Sequence, residues 1–94
     1  MNVRFTQEAR DDLAGIAEYI SRENPVAARQ VVGAIERATG RLSQFPQSGR
    51  VGAVETTREL VVPRLPFIAV YRVATDAVEI IAVFHAAKNR PRGY

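Results

Sequence analysis

The sequence contains no cysteine, which removes disulfides, thiolate metal sites and thiol nucleophiles together. It holds one histidine and, among its 13 basic residues, a single lysine. No apolar run approaches the ~18 residues a membrane-spanning helix needs. None follows Met1–Phe5 either, so no secretory signal is expected and the expected compartment is the cytoplasm. G-x-G-x-x-G and phosphate-loop patterns are missing, and the scattered carboxylates lack metal-ligand spacing. Neither a metal nor a cofactor is expected.

What is present reads as one globular domain over residues 1–94. Apolar content of 47% and charge of 24% are ordinary, and a chain of this size buries roughly 60–65% of its unfolded surface without staples. The charge is uneven. Residues 1–48 carry six basic and six acidic side chains, net zero, whereas residues 49–94 carry seven and four, net +3. All the basic residues but Lys88 are arginine, whose planar fork suits carboxylate and phosphate. The basic half hints at an anionic partner.

Val3-Arg4-Phe5 alternates as a short strand. Thr6 can cap a helix over about residues 7–22, with Ala9, Leu13, Ile16, Ala17 and Ile20 on one face. Asn24-Pro25 is a cap followed by a first-turn proline, whose missing N–H has no partner to lose there. The second helix carries Ala28, Val31, Ile35, Ala38, Leu42 and Phe45 at helical spacing until Pro46. So short a connection makes the helices an antiparallel hairpin. Residues 46–56 read as a loop. Three strand-like runs follow: Arg58–Val62, Phe67–Val73 and Val78–His85. The expected fold is α+β, order β-α-α-β-β-β, with the helical hairpin on a small antiparallel sheet.

Both faces of the last two strands are rich in apolar residues, and two helices cover only one side of a sheet. Strict alternation would leave Val61, Ile68, Val70, Ile81 and Val83 on the open side, flanked by Glu59, Arg72 and Glu79. A charge-rimmed apolar patch of that kind marks an interaction surface. The alternative is that residues 46–56 or the tail fold over it. The tail, from His85 to Tyr94, has three basic residues and no acid; it suits an anionic partner, or is a solvated terminus. His85 could serve as a general base, or simply hydrogen-bond at a strand end.

The run Thr57–Val62, then Leu65–Val73, then Val78–His85 resembles the RelE/ParE superfamily of bacterial toxins. The helix start Asn24-Pro25-Val26-Ala27-Ala28 and the segment Phe45-Pro46-Gln47-Ser48-Gly49-Arg50 are similar too. The resemblance covers nearly the whole chain. It implies the toxin half of a type II toxin–antitoxin module, silenced in a hetero-oligomer by a cognate antitoxin whose C-terminal segment wraps it.

The superfamily implies two activities. RelE-like members cut mRNA in the ribosome with basic residues on the open sheet face and near the C-terminus. ParE-like members lack that set and poison DNA gyrase. The second-strand positions similar to the RelE basic pair are Glu59 and Val61 here, and the third-strand arginine position is Ile68. The ParE-like branch is therefore expected, acting by binding without chemistry of its own. Antitoxin contact is expected at Arg58, Val61, Ile68, Val70, Arg72, Ile81 and Val83, and target contact at Lys88, Arg90, Arg92 and Tyr94. The alternative is a ribosome-dependent endoribonuclease using Arg72, His85, Lys88 or Arg90. A third reading is an inactive member kept as an antitoxin-binding corepressor.

Overall fold

The computed structural model describes residues 1–88 and Tyr94. Its elements are β1 (Asn2–Phe5), α1 (Gln7–Ser21), α2 (Pro25–Gly40), a single 3-10 turn (Arg41–Ser43), β2 (Arg50–Val51), β3 (Arg58–Val61), β4 (Phe67–Val73) and β5 (Ala77–His85). Both helix starts work as the sequence predicts. The Thr6 hydroxyl accepts from the Ala9 N–H at 3.2 Å and the Asn24 side chain accepts from the Ala27 N–H at 3.0 Å, with Pro25 in the first turn. Each cap satisfies a backbone donor that has no partner inside its helix.

The two helices lie on a five-stranded sheet of order β1-β5-β4-β3-β2. The sheet is mixed. Its later strands pair antiparallel, but β1 runs parallel to β5, with Val3 beside Val78 and Phe5 beside Ile80. The segment 46–56, expected as loop, contributes the two-residue edge strand β2, paired with β3. On the helix side, Ala9, Ile35, Ala38 and Leu42 pack against Ala69, Tyr71, Val78, Ile80 and Val83. Phe45 continues the helical spacing of α2, yet it lies past the 3-10 turn and is 62% exposed.

One irregularity decides which residues share a face. Val70 pairs with Ala82 and Tyr71 with Ile80, so Ile81 is skipped as a bulge. An extra residue reverses the alternation beyond it. Residues 82–85 of β5 therefore face opposite to strict alternation: Ala82 and Phe84 join Ile68 and Val70 on the open side, and Val83 turns into the helix-side core. The bulge sits where β1 ends. There α1 takes over as neighbour of β5, the Thr6 hydroxyl donating to the Ile81 carbonyl at 3.2 Å and the Asp12 carboxylate accepting from the Val83 N–H at 2.9 Å.

Candidate partner-binding surfaces

Two apolar surfaces compete for the role of partner seat. The first is the open sheet face. Its centre is Ile68, Val70, Ala82 and Phe84, and these are only 5, 1, 0 and 4% exposed. Among the described residues no helix covers them; Tyr94 packs against the cluster. The open face expected from the sequence is thus covered in part by Tyr94. Val61, opposite Ile68 on the same face, stays half exposed.

Charge pairs border this face. Glu79 lies between Arg72, 2.8 Å from one carboxylate oxygen, and Arg4, 3.1 Å from the other. Hydrogen bonds from Arg72 and then Arg4 hold the Glu79 carboxyl below the usual carboxylate range. On the far side the buried Glu59 carboxylate takes Arg50 at 3.0 Å. Glu59 is opposite Val70 and Val61 opposite Ile68, so Glu59, Val61 and Ile68, the positions singled out from the resemblance, share the open face. Here they are a carboxylate and two aliphatic groups.

The second surface is a groove of about 740 Å³ between α1, α2 and the end of the sheet. Its walls are Ile16, Ile20, Val31, Leu65, Phe67 and Val83, with Asp12, Tyr19, His85 and Lys88 at its rim. It exists because the helical hairpin overhangs the sheet. Asp12 already stands beside Val83 near the end of β5, and the rest of α1 continues past the last strand residues. Tyr19 on this overhang is 66% exposed. Desolvation raises the Asp12 pKa above the usual carboxylate range, against the lowering effect of the Val83 N–H, and the neighbouring Asp11 charge adds to the rise.

The residues expected at the antitoxin seat do not form one patch. Ile68 and Val70 lie under Tyr94, Ile81 is the bulge residue and Val83 lines the groove on the other side. Arg58 is not on the open face: it is opposite Tyr71, and its guanidinium donates to the Gly49 carbonyl at 2.8 Å and the Gln47 side chain at 2.8 Å. It fastens the loop before β2. Arg72 is tied to Glu79. Of the residues expected at the target, Lys88 is exposed at the groove rim, while Arg90 and Arg92 lie outside the described residues. His85 meets Phe67 edge-on, with ring centres 5.5 Å apart, and its Nδ1 accepts from the Ala87 N–H at 3.1 Å. Among the described residues no three metal-ligating side chains converge.

Sequence reasoning missed the groove. The signal available was one of length: 15 helical residues span about 22 Å at ~1.5 Å each, well beyond the four-residue strand β1 that precedes them.

Comparison with known proteins settles the lineage of this scaffold. The family described as the ParE toxin of the type II toxin–antitoxin system parDE matches residues 3–90. The chain belongs to the ParE toxin family. Among curated relatives, Y4kP, named as a candidate toxin of Sinorhizobium fredii, is 41% identical over 90 residues, covering 96% of this chain and 93% of that protein. The toxin RelE2 of Caulobacter vibrioides is 37% identical over 86 residues, covering 92% and 96%. Among solved structures, a chain of the chromosomal ParDE system from P. aeruginosa superposes with a TM-score of 0.82 at 28% identity, over 90% of this chain and 95% of that one. A chain of the RelBE2 toxin–antitoxin complex from Mycobacterium tuberculosis gives 0.57 at 28% identity, over 93% and 92%. The family places this chain among the toxins of type II modules.

Proposed function

We propose that this ParE family member arrests growth by binding DNA gyrase in the cytoplasm, and that a cognate antitoxin silences it by laying an apolar segment into the α1–β5 groove. The observation that carries the first half is the chemistry of the open face. Cutting RNA requires cations aimed at a phosphate as charge builds in the transition state. The equivalent positions are Glu59, Val61 and Ile68, and among the described residues the arginines bordering that face, Arg72, Arg4 and Arg50, are already paired with Glu79 and Glu59. A toxin with that face acts by occupancy.

The antitoxin half is supported by the apolar walls of the groove and by the structural neighbours from the ParDE system and the RelBE2 toxin–antitoxin complex. This moves the proposed seat from Ile68 and Val70 to Ile16, Ile20, Leu65 and Val83. Target contact stays with Lys88 and the basic residues Arg90 and Arg92.

A second reading is favoured by one finding, the relative named toxin RelE2. In it the chain cuts mRNA on the ribosome with Arg72, His85, Lys88 or Arg90. Purified chain tested on gyrase supercoiling, beside transcript cleavage on translating ribosomes, separates the two. Lost supercoiling with intact transcripts is expected; cuts at codon edges with normal supercoiling would overturn the proposal. Absence of growth arrest when the chain is expressed alone would instead point to an antitoxin-binding corepressor.

A further inference from the structure

A sheet with apolar residues on both faces and helices on one needs a second cover. Four side chains, Ile68, Val70, Ala82 and Phe84, make a contiguous cluster on the side away from the helices. They are as well buried as the helix-side core. Among the described residues the side chain packed against them is Tyr94, itself half-buried. An aromatic ring with a polar tip suits such a place, because its body covers apolar surface while the hydroxyl stays at the rim.

We infer that Tyr94 is an intramolecular cap over this sheet face, and that it keeps the free chain from pairing with a second copy through that face. Two observations carry this. The cluster is continuous with exposed Val61, opposite Ile68 on the same face, so lifting the ring would open an apolar strip across β3, β4 and β5. The strip is bordered on one side by Arg4–Glu79–Arg72 and on the other by Arg50–Glu59. Each border holds both signs of charge, so two copies meeting face to face encounter no uniform repulsion. Of the four cluster residues Phe84 also lines the groove, whereas Ile68, Val70 and Ala82 do not, so a partner in the groove should leave the ring over those three.

The test uses the full chain, Tyr94→Phe and Tyr94→Ala. Sedimentation and methyl NMR are the readouts. The parent and the phenylalanine variant should be monomeric, with the Ile68 and Val70 methyls shifted by the nearby ring. The alanine variant should lose those shifts, bind an apolar dye several-fold more strongly and self-associate as concentration rises. Adding Val61→Asp to the alanine variant should restore the monomer, which separates a sticky face from general misfolding. A monomeric Tyr94→Ala chain with a folded spectrum would overturn the cap, as would self-association that Val61→Asp leaves untouched. In complex with antitoxin the ring-shifted methyls should persist; their loss would show the antitoxin displacing Tyr94. An antitoxin that does not bind defeats the proposed function and leaves the sedimentation result to judge the cap.

Discussion

The Tyr71 hydroxyl bridges the chain around Gly49, donating to the Pro46 carbonyl at 2.8 Å and accepting from the Gly49 N–H at 2.8 Å. Tyr71 is wholly buried, so this polar pair pins the segment 46–51 and its strand β2 to the middle of the sheet. The fit leaves no room at Gly49. A Cβ there would lie 2.6 Å from the Tyr71 hydroxyl and 2.8 Å from the Glu59 carbonyl oxygen.

Tyr71→Phe should therefore cost about 1–3 kcal/mol, because it strands the Gly49 N–H without its acceptor. Gly49→Ala should cost about 3 kcal/mol through overpacking against a ring and a backbone that cannot yield. Urea unfolding with an unchanged m value measures both. A smaller loss for the alanine than for the phenylalanine variant would mean that the loop moves aside.

Arg64 carries a positive φ of 66°. It follows Pro63 in the link between β3 and β4, where the Leu65 N–H reaches back to the Val62 carbonyl at 3.3 Å. Proline followed by a left-handed residue is the pattern of a type II turn, which favours glycine at the second position. Arg64→Gly should stabilise the fold by about 0.5–1 kcal/mol, the left-handed penalty less the added freedom of the unfolded chain. Thermal unfolding should show a Tm a few degrees higher; a lower Tm would mean that the Arg64 side chain holds the turn.

Acid should act on two carboxylates in opposite directions. Arg72 and Arg4 depress the Glu79 pKa; its contribution is complete above the unfolded value and is lost as pH falls through the depressed one. Burial raises the Asp12 pKa, so its charge opposes folding above that raised value, and the opposition fades as pH falls below the unfolded one. Asp12→Asn keeps an acceptor for the Val83 N–H without the charge. It should be more stable than the parent at neutral pH, the difference vanishing in acid. Glu79→Gln should flatten the acid limb of the stability profile. Chemical denaturation across pH checks both, and a neutral-pH loss in Asp12→Asn would show the charge to be stabilising.

Local chemistry was legible in the sequence, and long-range geometry was not. Thr6 and Asn24-Pro25 mark helix starts because a cap is settled within four residues. Phe67–Val73 reads as a strand because its alternation is local too. The bulge at Ile81 leaves no trace in an apolar run such as Ile80-Ile81-Ala82-Val83, where every register offers an apolar side chain to each face. The groups that meet it lie 75 and 71 residues away, Thr6 and Asp12 taking over the backbone of β5 where β1 stops. The groove depends on the same handover. Tyr94 reads as part of a polar tail because composition cannot show which apolar cluster a chain end meets.

That handover can be measured directly. Ile68 pairs with Phe84 across β4 and β5 on the open face, whereas Val83 points through the sheet to the helices. Directly opposed side chains on one face couple by about 0.2–1 kcal/mol, and side chains on opposite faces do not. A double-mutant cycle of Ile68→Ala with Phe84→Ala should show coupling in that range, and Ile68→Ala with Val83→Ala should show close to none. Without the bulge the two results would exchange, since strict alternation sets Val83 beside Ile68. Coupling between Ile68 and Val83 alone would return Val83 to the open face and close the groove wall it supplies.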